Sequence, residues 1–349
     1  MKKTLIALAA VAAVGTSFAQ VTISGGASVA FQRNFSGSAN GIAMTDNSLY
    51  VSASENLGDG MKASAAWSIE NDTARGSGYV RGDQSIAVTS PAFGLVLANT
   101  RSGGSQGAAL VAPANLKDDV WTSAVITRSA IDVVSLSIPL NSAFTVSAKY
   151  IEGGSNEKTP TTAVATAYQT YVAAKTDANK AALAAAIAKD AVAGDGNNMP
   201  GAISFSGGVT YAANGLKVVA NVTQSTYTEN AKAFATATTG VTDFRTVSTD
   251  AHVIYDAGFA KVGLGYDGPR RGKANGTDEA AMLLGVSVPM GKTTLGLNYG
   301  KRDAASFLHA AAQYDLTKRT NLNLSYGMDT QSATSGNTDQ YRLSLNHAF

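Results

Sequence analysis

The sequence predicts an all-β protein, an antiparallel sheet of sixteen strands rolled into a transmembrane barrel, with a short helical insertion in the fourth long link. Three observations predict it. Apolar and polar residues alternate with period two along most of the chain, as they do in strands with two unlike faces. The links between those strands are short and long in strict alternation. The chain also stops on Phe349 in mid-alternation, where most domains fray into a polar tail.

The elements follow in order. Residues 1–19 carry Lys2 and Lys3, an apolar run from Leu5 to Val14, and Ser17-Phe18-Ala19 with small residues at −3 and −1 of a cleavage site. This reads as a secretory signal peptide, outside the fold, so the barrel is expected over 20–349. In the first strand Val21, Ile23, Gly25, Ala27, Val29 and Phe31 share a face, and Thr22, Ser24, Gly26, Ser28 and Gln32 share the other. Leu49, Val51 and Ala53 oppose Ser48, Ser52 and Ser54 in the second. Met61, Ala63, Ala65, Trp67 and Ile69 oppose Lys62, Ser64, Ser68 and Glu70 in the third. Later strands alternate as well: Ile203 to Tyr211, Leu295 to Tyr299, Leu322 to Met328, and Tyr341 to Phe349.

Tight turns are expected at Leu57–Gly60, Ser90–Gly94, Pro139–Ala143, Ala213–Gly215, Ala257–Gly258, Pro289–Lys292 and Leu316–Lys318. Long links are expected at 34–44, 72–79, 101–127, 152–200, 229–245, 268–278, 302–305 and 329–338. Strands of about 8–13 residues, an even strand number, and short turns at one rim with loops at the other describe a barrel that crosses a bilayer. In hydrocarbon every backbone polar group needs a partner, so such a sheet must close. The apolar face then meets lipid, and at ~16 strands the polar face encloses water. A sandwich would alternate too, but it gives no reason for the links to alternate in length. From Pro160 to Ala193 the period changes: Val164, Tyr168, Tyr171 and Val172 take helical spacing, as do Leu183 and Ile187. Pro160 suits a first helical position, Thr176 or Asp177 an N-cap and Gly194 a stop, which predicts a helical hairpin within the link at about 152–200.

Composition narrows the function. There is no cysteine, so no disulfide framework holds this exported chain. Without Lys2 and Lys3 the 27 basic residues fall to 25, matching 25 acidic ones. No basic surplus points to nucleic acid. The glycines Gly263, Gly265 and Gly268 of "GLGYDG" match a dinucleotide fingerprint, but Pro269-Arg270-Arg271-Gly272 follows in place of the required helix. His252, His309 and His347 show no local metal-ligand spacing. The sequence therefore implies no cofactor, no metal and no catalytic residues.

Several stretches resemble the Gram-negative general (diffusion) porins, most closely the β-proteobacterial group. The ending "YRLSLNHAF" resembles their C-terminal strand, "QVTISGGASVAF" their first strand, and "SENLGDGMKASAAW" their strand 2–turn–strand 3 segment. "SPAFGLVLANTR" resembles their entry into the fifth strand. The resemblance implies a homotrimer in the outer membrane, in contact with lipid and lipopolysaccharide, that passes ions and small hydrophilic solutes by passive diffusion. It also implies an inward-folded loop 3, about 101–127, whose carboxylates face wall arginines at an eyelet. Tyr341 and Phe349 would then be read by the outer-membrane assembly machinery.

On that reading Asp118 and Asp119 are the candidate loop carboxylates, beside Lys117, with Arg81, Asp83, Arg101 and Arg128 on the wall: Arg81 shares the lumen parity of Asp83, Arg101 falls one residue late, and Arg128 has lipid-facing parity unless a bulge intervenes. The family's usual arginine positions fall here on Ser48, Asp83 and Thr100, so the arginine ladder is thinned or shifted. Other charges of lumen parity are Lys62, Glu70, Lys217, Asp250, Asp256, Lys261, Arg302 and Arg342. Opposed charges of this kind tune selectivity, and the expected preference is weak and slightly anionic. Arg33, of outward parity at the outer end of the first strand, is a candidate contact for lipopolysaccharide phosphate. A surface adhesin without a transport role is the alternative reading.

Overall fold

A computed structural model of the chain describes residues 20–33, 41–71, 80–102, 105–113, 129–153, 162–192, 202–227, 246–269, 280–330 and 338–349. Sixteen strands form: β1 (Gln20–Arg33), β2 (Gly41–Gly58), β3 (Met61–Asn71), β4 (Val80–Thr89), β5 (Gly94–Ser102), β6 (Ser129–Pro139), β7 (Phe144–Gly153) and β8 (Ala202–Ala213). They continue with β9 (Leu216–Tyr227), β10 (Thr246–Asp256), β11 (Lys261–Asp267), β12 (Ala281–Met290), β13 (Thr293–Arg302), β14 (Ala305–Asp315), β15 (Thr320–Thr330) and β16 (Thr338–Ala348). Each pairs antiparallel with its sequence neighbours, and β16 pairs with β1, so the barrel is closed. Closure leaves no sheet edge with unpaired amides.

The chain is inside out relative to a water-soluble fold. Large apolar side chains such as Val21, Ile23, Phe205, Leu264 and Leu324 are more than half exposed on the outer wall. Polar side chains such as Ser68, Asn221, Asn298, Asn323 and Ser344 are buried on the inner wall. Aromatic pairs bracket the outer apolar band: Phe144 and Tyr211 lie 4.8 Å apart near the tight-turn rim, and Tyr150 and Phe205 lie 5.4 Å apart toward the loop rim. Amphipathic rings favour such interfacial levels. The tight turns are built from residues that tolerate positive φ: between β8 and β9, Asn214 (φ 52°) and Gly215 (φ 76°) make the two-residue connection.

The last residue closes the ring. The Phe349 N–H donates to Gly25 O at 3.0 Å, and the Gly25 N–H donates to Phe349 O at 3.2 Å. The Phe349 ring lies where a side chain on Gly25 would stand, since a Cβ there would fall 2.9 Å from Phe349 Cε2.

Two bulges among the described residues shift the expected pattern. β2 begins at Gly41, inside the link expected at 34–44, because a register shift opposite Ala27/Val29 interrupts its period of two. In the β3–β4 pair, Trp67 meets Gln84 but Ile69 meets Arg81. An extra residue on β4 therefore reverses parity beyond Asp83. Arg81 takes the register position of outward-facing Ile69, which corrects the expectation that it shares the lumen parity of Asp83. Arg101, expected one residue past the lumen position at Thr100, is removed from the eyelet wall by its register. It lies on β5 opposite Ala130, with the parity of Leu97, which is exposed on the outer wall.

The expected helical hairpin forms as α1 (Thr162–Ala173) and α2 (Asp177–Val192). Thr176 caps α2, its Oγ1 accepting the Asn179 N–H at 3.2 Å. Asn179 Nδ2 donates back to Ala174 O at 2.8 Å, tying the two helices at their corner.

Candidate functional site in the barrel lumen

The inner wall carries one seat. A 3-10 turn, Ser105–Ala109, leads into residues 110–113, and this stretch lies against the lumen faces of β10 to β13. The Leu110 N–H donates to Gly107 O at 3.2 Å and closes the turn. Leu110 is fully buried and clusters with Ala109, Ala281, Leu283, Ala305 and Phe307. These apolar residues sit on lumen-facing positions, so their shelter comes from the loop and not from lipid. Ala112 is buried against Ala311, and its N–H donates to Asn298 Oδ1 at 3.3 Å.

One lumenal register row runs beneath this stretch: Ile254, Gly263, Gly285, Asn298, His309, Gly327 and Gln340 stand opposite one another on consecutive strands β10 to β16. Where the loop crosses it, the row is glycine. Farther round it is polar and buried. His309 Nε2 and Asp329 Oδ1 are 2.8 Å apart, and Gln340 Nε2 donates to Asp329 Oδ2 at 2.8 Å. The imidazole rests over Gly327, where a Cβ would fall 2.9 Å from His309 Cδ2. This arrangement matches the charge-assisted pairing that buried ionisable groups require.

The remaining expected lumen charges separate into paired and solvent-facing groups. Arg302 binds Asp267 through Nη2, across the small Ala281 that stands between them in register. Lys261 and Asp256 face each other at 3.2 Å across the β10–β11 turn, both about half exposed. Arg342 donates through Nε and Nη2 to Gln32 Oε1 at 3.3 and 3.2 Å, linking β16 to β1. Asn221 Nδ2 donates to Asp250 Oδ1 at 2.9 Å. Lys62 and Lys217 are exposed near the tight-turn rim. Asp83 is exposed beside Ser68, whose hydroxyl donates to Asp83 O at 3.4 Å. Glu70 holds lumen parity on β3 by register. Lys117, Asp118, Asp119 and Arg128 lie outside the described residues. The wall is thus lined with water-compatible groups, and its charges are interleaved in sign.

Sequence reasoning omits Lys149, Asp267, Asp329 and the glycine row. Lys149 and Asp329 were within reach: Phe144, Val146 and Tyr150 set the outward parity of β7, as Leu324, Tyr326 and Met328 do for β15. Among the described residues no group of three or more His, Cys, Asp or Glu is placed to hold a metal.

The outer wall has an irregular patch. Trp67, Gln84, Asn99, Asp132 and Glu152 stand in one register row across β3 to β7, on outward positions. Asn99 Nδ2 donates to Asp132 Oδ1 at 2.6 Å, and Tyr150 OH to Glu152 Oε1 at 2.5 Å. The row lines a shallow groove of about 630 Å³.

The sequence profile of the Gram-negative porin family matches residues 4–334. Solved structures share the fold. A variant of the Rhodopseudomonas blastica porin superposes with a TM-score of 0.55 at 10% identity, over 95% of this chain and 100% of that one. A form of OmpT, an outer membrane protein of Vibrio cholerae, with loop L8 deleted, superposes with a TM-score of 0.57 at 12% identity, over 95% of this chain and 99% of that one. No curated relative matches the chain.

Proposed function

The chain belongs to the Gram-negative porin family, an integral β-barrel of the outer membrane, and we propose that it is a general diffusion channel for ions and small hydrophilic solutes with weak charge selectivity. One observation carries the reading: a closed sheet of sixteen strands bears apolar side chains outward and polar ones inward. At ~16 strands such a sheet leaves an aqueous lumen. Solutes then cross down their gradients, and loop 3 narrows the path.

The sign of selectivity follows from which charges reach the water. Arg302, Lys261 and Arg342 are engaged with Asp267, Asp256 and Gln32, while Lys62 and Lys217 are exposed toward the tight-turn rim and Asp83 is exposed on β4. A slight anion preference is the expected result, with Asp118 and Asp119 of loop 3 opposing it. Reversal potential in a salt gradient tests this, and a clear cation preference would reject it.

The mature chain is taken to begin at Gln20, the first residue of β1. Assembly as a homotrimer is supported by the outer row Gln84, Asn99, Asp132 and Glu152. Hydrocarbon offers such groups no partner, whereas the wall of a second copy does. Mass in detergent should correspond to three chains; a strictly monomeric barrel would remove this part of the reading. Arg33, exposed at the loop end of β1 opposite Tyr341, is the proposed contact for a lipopolysaccharide phosphate. Phe349 and Tyr341 carry the features expected of the assembly signal.

A further inference from the structure

We propose that Gly263, Gly285 and Gly296 form a side-chain-free seat on the inner wall that sets how far residues 109–113 of loop 3 stand from β11 to β13, and thereby the bore of the channel. The inference rests on the channel reading above and names the residues that fix its narrowest dimension.

Three positions on adjacent strands give the same result. A Cβ on Gly263 would overlap Ala109 O and fall 2.7 Å from Ala109 C. On Gly285 it would overlap Ala109 O and fall 2.5 Å from Val111 N. On Gly296 it would overlap Pro113 Cδ and fall 2.6 Å from Ala112 Cβ. In the first two cases the colliding atoms are loop backbone, which cannot rotate away as a flexible side chain does. Gly263 and Gly285 are direct register partners, and Gly296 faces Ser287 two residues farther along β12. Gly263 and Gly285 are therefore adjacent and Gly296 diagonal to them, and the three follow the path of residues 109–113.

Two further contacts fix the loop once it is seated. Leu110 enters the pocket of Leu283 and Phe307. The Phe307 ring lies flat because Gly300 beneath it has no side chain; a Cβ there would overlap Phe307. Asn298 Oδ1, beside the patch, accepts the Ala112 N–H. The backbone N–H of a loop lying on a wall needs such an acceptor, because the wall excludes water from it. Seat, anchor and acceptor together hold the loop at backbone contact distance, the closest approach available.

The consequence is graded. A methyl at Gly285 or Gly296 lifts the loop into the lumen, and a larger side chain lifts it farther. Gly26 provides the control: it faces the lumen on β1, where the nearest atom to an added Cβ is His347 O at an ordinary 3.5 Å. The experiment measures single-channel conductance and the size limit for neutral sugars in planar bilayers and liposomes. It compares the parent protein, Gly26→Ala, Gly285→Ala, Gly296→Ala and Gly285→Val, each shown to be folded by its shift on heating in detergent gels. The expected outcome is a downward shift in conductance and sugar cut-off for the seat variants, larger for valine than alanine, with Gly26→Ala at the parent value. Should the seat variants fail to fold, Asn298→Ala and Leu110→Ala leave the seat intact and release the loop, giving noisier, voltage-sensitive open states. Folded seat variants with the parent's conductance and cut-off overturn the proposal, as do quiet, parent-like Asn298→Ala and Leu110→Ala channels. A parent protein that forms no channel at all would instead defeat the porin reading.

Discussion

Phe349 shows how much one residue can contribute to a barrel. Its backbone pairs with Gly25 across the closing seam, and its ring takes the space that Gly25 leaves open. Phe349 is 54% exposed, so roughly half of the residue is covered by the barrel wall. Burial of that size is worth about 1–2 kcal/mol. Phe349→Ala should lower the temperature at which the folded band is lost on heated detergent gels, and Phe349→Tyr should largely preserve it. Equal melting of the alanine variant and the parent would show that the seam does not depend on the ring. The aromatic ending is legible in the sequence as a strand that cannot fray. Its contact with Gly25 is not, because that requires the register between residues more than three hundred positions apart.

At the scale of the strand, period-two alternation made most elements readable, and bulges hid the rest. The shift between Trp67 and Ile69 costs β4 its parity, so Arg81 and Asp83 stand on opposite faces although two positions apart. A chain with no cysteine makes this easy to check. In bilayer-embedded protein, Asp83→Cys should react with a charged, water-soluble thiol reagent added to the lumen, and Arg81→Cys should react slowly. Equal rates at both positions would remove the bulge from the account. The glycine seat illustrates the other limit of sequence reading. Gly263, Gly285 and Gly296 share lumen parity, but a missing side chain carries no sign of what lies above it. The helical hairpin was legible through its change of period and its cap at Thr176. Its role belongs to a different test: deleting 161–193 should leave single-channel conductance unchanged if the hairpin is a surface cap, and altered conductance would make it a lid.

The whole molecule is stabilised by the contrast between its two walls. Leu264 faces outward on β11 and is 55% exposed, while Thr223 faces inward on β9 and donates through Oγ1 to Ser206 Oγ at 3.0 Å. Leu264→Arg should destabilise the barrel by about 2–4 kcal/mol, the cost of a cation near the bilayer midplane. Thr223→Arg should fold normally and shift selectivity toward anions. Denaturation in lipid vesicles gives the first value and reversal potential the second; similar losses of stability at both sites would mean that the walls are not chemically distinct. This contrast also explains why average hydropathy hides the fold. Along most strands outward apolar residues alternate with inward polar ones, so beyond the first nineteen residues no long apolar window announces a membrane.

The central claim is that the closed sheet encloses a water path across the outer membrane. Stepwise current in a planar bilayer tests it most directly. Addition of purified protein should produce discrete conductance increments of uniform size that scale with salt concentration, together with release of small sugars from liposomes. A folded, heat-modifiable barrel that inserts yet carries no current and releases no sugar would contradict the account.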